Sequence, residues 1–276
     1  DISSENIEIL AQNVKALNIK NIYTYNCGAE DFLENFSDGE LIYVDPQRRT
    51  SGKKGIYDLN NCSPDIRGLL ENIKNKTKDL LIKTSPVLDI KKTIHDLAYV
   101  QNVYIVEYER DCKELLFHLC FKEQPQPANI KICAVRINTL GEPEYKTEFS
   151  YNEEDAAQIE FSEPLTYLYE PGPAFMKGGA FKTLAVQFGL KKLHPNTHLY
   201  TSEKEISEFP GRIFKIIGAA KVNKKELKTL IPSMKANLTL RNFPSTPDLL
   251  RKKLGLKEGG EYTIFACEIK NNEKTL

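Results

Sequence analysis

An aspartate followed by a proline, a glutamine and two arginines, Asp45-Pro46-Gln47-Arg48-Arg49, stands directly behind a short apolar run, Leu41-Ile42-Tyr43-Val44. A carboxylate in that position can accept a hydrogen from a reacting amine or hydroxyl and so orient it. An arginine plane beside it can stack on a base. The apolar run predicts a strand buried on both faces, as in a parallel sheet. Pro46 ends that strand by removing a ladder donor and fixing φ. In open α/β sheets ligands bind beyond the carboxyl ends of the strands, and Asp45 falls there. The bland alternative is a strand terminator with a solvated arginine pair behind it.

Other residues that could do chemistry are less well placed. Pro195 forbids a helix that would bring His194 and His198 to one face, and no third ligand lies nearby, so no metal site is expected. Gly178-Gly179 lacks the Lys-Ser/Thr continuation of a phosphate loop. The cysteines at 27, 62, 112, 120, 133 and 267 contain no Cys-x-x-Cys pair and read as reduced, mostly buried thiols of a cytosolic protein. The loop Thr50-Ser51-Gly52-Lys53-Lys54-Gly55 suits an anionic partner. Glu170-Pro171-Gly172-Pro173 with Lys177 reads as a rigid turn, with the lining of an interdomain site as the alternative.

The elements that must hold Asp45 follow from periodicity. Ser3-Ser4-Glu5 opens a helix over 3–17, with Ile7, Leu10, Ala11, Val14 and Leu17 at helical spacing. A short strand over 22–25, a helix over 29–36 and the strand ending at Asp45 continue the rhythm of a parallel, doubly wound sheet. Further on, the pattern predicts a helix from Pro64 through Ile73, a strand at 79–83, a helix at 89–97 and a strand at 102–108. An amphipathic helix at 110–119 and a strand at 130–137 paired with 103–108 come next. Gln124-Pro125-Gln126-Pro127 is linker-like, and the polar, acidic stretch 139–162 marks the strongest candidate boundary.

Then come a strand at 167–171 and a helix opening at Pro173 or Ala174 and running through Phe188. Strand (213–217), helix (224–230), strand (236–240), helix (246–254) and strand (262–267) follow, read as an independent small α+β module. That module holds fourteen Lys/Arg against seven Asp/Glu in 208–276, whereas the whole chain balances 38 against 38. No run approaches the ~20 apolar residues of a membrane span, and no signal peptide is recognisable. A cytoplasmic protein without a membrane partner is expected.

The order helix, strand, helix, strand ending in Asp-Pro resembles part of the nucleotide-binding sheet of class I S-adenosylmethionine-dependent methyltransferases. Several stretches narrow the resemblance. Asp45-Pro46-Gln47-Arg48-Arg49 with Gly52 comes first, then Tyr-Leu-Tyr-Glu-Pro (167–171), Met-Lys-Gly-Gly-Ala-Phe (176–181) and His-Leu-Tyr-Thr-Ser (198–202). Phe-Pro-Gly-Arg-Ile-Phe (209–214) and Arg-Asn-Phe-Pro (241–244) complete the series. Together they look like the bacterial methyltransferases that carry a small ferredoxin-like domain and a THUMP-like C-terminal domain.

The resemblance implies an α/β fold: a Rossmann-like methyltransferase sheet, N-terminally truncated, followed by small α+β ferredoxin-like and THUMP-like modules. The implied domains are 1–140 (part of the methyltransferase), 141–207 (linker plus ferredoxin-like) and 208–276 (THUMP-like). It also implies S-adenosylmethionine as cofactor, with Asp1 and Ile2 at the ribose-binding strand end and Gly28-Ala29-Glu30 at the adenine turn. Asp45, Pro46, Gln47 and Arg48 would form the methyl-transfer motif. The family's first strand and Gly-rich loop would precede Asp1, so the chain by itself is expected to bind the cofactor weakly or not at all and to be inactive.

The motif also narrows the chemistry. Enzymes acting on exocyclic amines carry Pro and an aromatic where this chain has Gln47 and Arg48. Uracil C5 methyltransferases need a cysteine where it has Lys83-Thr84-Ser85-Pro86. In-line transfer to nitrogen or oxygen remains, with Asp45 as hydrogen-bond acceptor. THUMP domains bind RNA, so structured RNA is the expected partner, held through Arg49, Lys53, Lys54, Lys224, Lys225, Arg241, Arg251 and Lys252. The rivals are a non-catalytic RNA-binding protein on a methyltransferase scaffold and a methyltransferase for a small molecule or protein.

Overall fold

The computed structural model describes residues 1–48, 59, 62–122 and 129–276. Contacts divide the chain into two compact units, Asp1–Val106 with Lys113–Cys133, and Glu107–Cys112 with Ala134–Leu276.

In the first unit, helix α1 (Ser4–Ala16) starts on the Ser3 hydroxyl, which accepts from the Asn6 N–H at 3.3 Å. It buries none of its residues, and Ile9 and Leu10 are 51% and 43% exposed. Residues 22–25, expected as a strand, pair with no strand among the described residues, and Ile22, Tyr23 and Tyr25 are exposed. Helix α2 (Ala29–Asn35) follows. Strand β1 (Gly39–Val44) then pairs in parallel with β4, introduced below, in a register that ends at Val44 opposite Ile82. The expectation that β1 is buried on both faces fails, since Leu41 and Tyr43 are exposed. A strand paired along one side only leaves its other edge and part of its faces uncovered.

Two short strands, β2 (Gln47–Arg48) and β3 (Cys62–Ser63), form a small antiparallel ribbon just past Asp45. Helix α3 (Ile66–Lys74) is capped by the Asp65 carboxylate and buries Ile66 and Ile73. Strand β4 (Thr77–Thr84) turns Leu80 and Ile82 into the core. Helix α4 (Ile90–Asp96), capped by Asp89, leads to β5 (Val100–Tyr108) and β6 (Asp111–Cys120).

The segment expected as a helix at 110–119 is therefore a strand. Leu115, Phe117 and Leu119 are fully buried at alternating positions, the period of a pleated strand rather than of a helix. Glu109 and Arg110 both adopt positive φ, 49° and 61°, the geometry of a two-residue hairpin turn. Because β6 returns by a hairpin, it runs antiparallel to β4, and the sheet is mixed. Strands β7 (Lys131–Ile137) and β8 (Pro143–Phe149) complete it in the order β1-β4-β6-β5-β7-β8, with β7 beside β5 as expected. The polar stretch 139–162 thus contains a strand and also helix α5 (Tyr151–Ala156), which carries a Ser150/Glu153 capping box.

In the second unit, β9 (Tyr167–Pro171) precedes two short helices, α6 (Pro173–Gly178) and α7 (Lys182–Phe188), where one helix was expected. Gly179, at φ 79°, is the break. The buried carboxylate of Glu154 accepts the N–H groups of Phe181, Lys182 and Thr183 at 3.1, 2.7 and 2.8 Å and so starts the second helix. Strands β10 (Lys191–His194), β11 (Thr197–Ser202) and β12 (Gly211–Lys215) join β9 in an antiparallel sheet ordered β10-β11-β9-β12.

The C-terminal module builds α8 (Lys224–Leu230), β13 (Asn237–Arg241), α9 (Pro247–Leu254), β14 (Thr263–Ile269) and β15 (Glu273–Thr275). Leu227, Ile231, Leu250, Leu254, Ile264 and Ala266 form its core. It packs against the four-stranded sheet. β12 pairs with β9, and Phe265, Cys267 and Ile269 share a cluster with Leu168, Leu193 and Leu199 of the four-stranded sheet.

Candidate active site and candidate RNA-binding residues

Asp45 lies at the carboxyl end of β1, as the sequence indicates. The register continues one step beyond its last pair, Val44 opposite Ile82, to bring Asp45 beside Lys83. Side-by-side residues of a parallel pair project to the same face, and the Lys83 ammonium meets the Asp45 carboxylate at 2.5 Å. The Asp45 side chain stays 51% exposed and the Lys83 side chain 32%, so the pair is open to a ligand. The hydrogen bond to Asp45 holds the Lys83 amine above its ordinary pKa, against a smaller opposing effect of burial. Sequence reasoning passed over Lys83 as a site residue. Its signal is its place at the end of the neighbouring strand, which becomes readable only once the register is known.

Pro46 is half-buried and Gln47 exposed, and the β2–β3 ribbon sets Gln47 opposite Ser63 and Arg48 opposite Cys62. Arg49, Lys53 and Lys54 lie outside the described residues.

The residues expected around a nucleoside also come together. The Asp1 amino group donates to the Tyr25 carbonyl at 3.2 Å, and the Asn26 amide donates to the Asp1 carbonyl at 3.0 Å. Asp1 and Ile2 are thereby set beside the turn that leads into Gly28, Ala29 and Glu30. The Asp1 carboxylate accepts the Ser3 N–H at 2.9 Å and the Asn6 amide at 3.4 Å while remaining exposed. Ile2 is 80% exposed. Gly28 caps α2 without a side-chain hydrogen bond. An exposed carboxylate and an exposed apolar side chain are of the types that a ribose diol and a purine ring would need.

In the second unit the expected RNA-binding residues divide in two. Lys224, Lys225 and Lys252 are exposed. The Lys224 amine lies so close to Gly255 that a Cβ there would sit 2.9 Å from it, so the start of α8 adjoins the end of α9. Arg241 and Arg251 are instead engaged internally. Arg241 reaches the buried Glu170 carboxylate at 2.5 Å, alongside Arg212 at 2.6 Å. Arg251 donates to the Ala236 carbonyl at 3.4 Å and lies 3.7 Å from Glu258. Glu170, near the end of β9, thus anchors an ion-pair cluster with Arg212 and Arg241.

No group of three or more metal-ligating side chains occurs among the described residues. His198 stacks on Phe181 with ring centroids 3.6 Å apart, and burial, with Lys192 and Arg241 nearby, pushes its pKa down to about 4. Lys192, 2% exposed, donates to the Pro195 carbonyl at 2.9 Å, and burial lowers its pKa to about 8. No described helix is long and apolar enough to cross a membrane.

Comparison with known proteins agrees with this architecture. Residues 167–210 match a ferredoxin-like domain family and residues 211–276 a THUMP domain-like family. A crystal structure of the "putative methyltransferase" of Porphyromonas gingivalis W83 superposes with a TM-score of 0.80 at 32% identity, over 89% of this chain. The chain spans 61% of the length of that protein. A search of curated proteins gave no match. The chain therefore joins a mixed α/β sheet, similar in fold to that neighbour, to a C-terminal part that matches ferredoxin-like and THUMP domain-like families.

Proposed function

We propose that the protein is an S-adenosylmethionine-dependent methyltransferase acting on structured RNA, with Asp45 positioning the acceptor nitrogen or oxygen. The observation that carries this reading is an exposed carboxylate at the carboxyl end of a sheet strand, in a chain similar to a methyltransferase along most of its length. The cofactor would supply an electrophilic methyl group. Asp1, Ile2, Gly28, Ala29 and Glu30 would hold its nucleoside end through the carboxylate, the apolar side chain and the backbone donors.

Asp45 has two carboxylate oxygens. Oδ2 is taken by Lys83, which leaves Oδ1 to accept the acceptor's hydrogen and align its lone pair for in-line attack. The stretch where uracil C5 methyltransferases carry their cysteine reads Lys83-Thr84-Ser85-Pro86 and has no thiol to offer, which favours transfer to nitrogen or oxygen. The THUMP-like domain and the exposed Lys224, Lys225 and Lys252 support RNA as the partner, as phosphate ligands that position without reading sequence.

The test is transfer of radiolabelled methyl groups to total RNA by the natural full-length protein beside its Asp45→Ala variant. Label in RNA with the wild type, reduced at least 100-fold in the variant, is the expected result. Label that survives Asp45→Ala removes Asp45 from the mechanism. RNA binding without label in either protein favours a non-catalytic RNA-binding protein.

A further inference from the structure

We infer that Lys83 is a positioning residue of the methyl-transfer site, fixing the Asp45 carboxylate so that one oxygen alone faces the acceptor. This rests on the function proposed above and adds a residue to it.

The inference stands on three observations. First, the contact joins the ends of two parallel neighbours, at the step after Val44–Ile82, so backbone hydrogen bonding fixes the origins of both side chains. Second, two carboxylates bear on the ammonium. Its 2.5 Å contact is with Asp45, and the carboxylate of Glu114 on β6 adds negative charge near it. The hydrogen bond to Asp45 and this negative charge outweigh the opposing effect of burial, so Lys83 stays protonated across the working range. It cannot serve as the base, and that role is left to the carboxylate. Third, ion pairs open to solvent contribute little to stability. Fold stability therefore gives a weak reason for an ammonium to be aimed at this carboxylate.

An unrestrained aspartate side chain at a strand end can turn about χ1 and χ2 and offer either oxygen. Tied to Lys83, it offers one. The pair is also formally neutral, so the acceptor it suits is an uncharged hydrogen-bond donor, an amine, ring N–H or hydroxyl, rather than a carboxylate or phosphate. An anionic acceptor would bind the ammonium in place of Asp45 and undo the alignment.

The experiment compares Lys83→Met and Lys83→Arg with the wild type and Asp45→Ala in labelled methyl transfer, using the natural full-length protein and measuring kcat and KM separately. Thermal unfolding of each variant serves as a folding control. Lys83→Met is expected to melt within a few degrees of the wild type and to lose kcat by roughly 10- to 100-fold, with KM for the cofactor within about threefold. Lys83→Arg, which keeps a cation in reach of Oδ2, is expected to recover most of that loss. A wild-type kcat in Lys83→Met, with Asp45→Ala inactive, would mean an ordinary surface ion pair and overturn the inference while leaving the proposed function standing. Equal loss in Lys83→Met and Lys83→Arg with a collapsed melting temperature would assign the lysine to folding and overturn it too. A wild type that transfers no label defeats the proposed function, and this inference falls with it.

Discussion

At the scale of single residues, position at a strand end carries more information than residue type. Asp45 was legible because an apolar β-branched run stopping at Asp-Pro has few structural meanings. Its partner was not, because Lys83 is separated from it by 38 positions and only the β1–β4 register makes them neighbours.

The buried titrating groups of the second unit yield a prediction of their own. The folded pKa of Lys192, about 8, lies below the 10.5 of a free lysine. Between those values the unfolded chain holds a proton that the folded chain has lost, so stability rises with pH. His198, at about 4 against 6.5, gives the same sign lower down, and stability falls as pH drops from 6.5 towards 4. Urea unfolding of wild type and Lys192→Met at pH 7, 8, 9 and 10 should show the variant's relative stability decreasing as pH rises, by on the order of 2–3 kcal/mol in all. A pH-independent difference would mean that Lys192 titrates normally.

At the scale of elements, legibility followed the local signals. Helices α8 and α9 were read nearly to their ends. Asn223 and Thr246 cap their starts, Pro247 suits the first turn, and Gly255 at φ 69° closes the second. The error at 110–119 has an equally local origin. Glu109 and Arg110 form the hairpin turn without the Gly or Asn that usually announces positive φ. The alternation of Leu115, Phe117 and Leu119 was obscured by Leu116, an apolar residue at an intervening position that also fits a helical face. The strand expected at 22–25 failed for a different reason: its composition is right, but a strand needs a partner, and composition cannot reveal one.

Gly211 gives the test at this scale. It opens β12 opposite Pro171, and a Cβ there would lie 2.0 Å from the Glu170 carbonyl oxygen and 2.5 Å from the Phe209 ring. Gly211→Ala must push β12 off β9 or distort both, and should cost about 1–3 kcal/mol in urea unfolding, comparable to overpacking a core. Wild-type stability in that variant would show that the two strands are not held as closely as described.

At the scale of the molecule, the chain is electrically neutral and its last module basic, and this imbalance was visible in composition alone. What composition could not show is which cations are available. Arg241 and Arg251 are paired with Glu170 and with the Ala236 carbonyl and Glu258, while Lys224, Lys225 and Lys252 are exposed. RNA affinity is accordingly expected to fall steeply with salt, as counterion release requires. A combined Lys224→Ala, Lys225→Ala, Lys252→Ala variant should lower the slope of log affinity against log salt by about 2, since each lost phosphate contact removes ~0.7–0.9. A slope unchanged by the triple substitution would place the RNA contact elsewhere.

The claim that joins these scales is methyl transfer to a nitrogen or oxygen of RNA under the control of Asp45. It is tested most directly by digesting RNA labelled by the full-length protein to nucleosides and locating the methyl group by chromatography and mass spectrometry. The account predicts label on a nitrogen or oxygen of a nucleoside, lost with Asp45→Ala. Label on a pyrimidine C5 carbon, or in protein or small molecules rather than RNA, would contradict it.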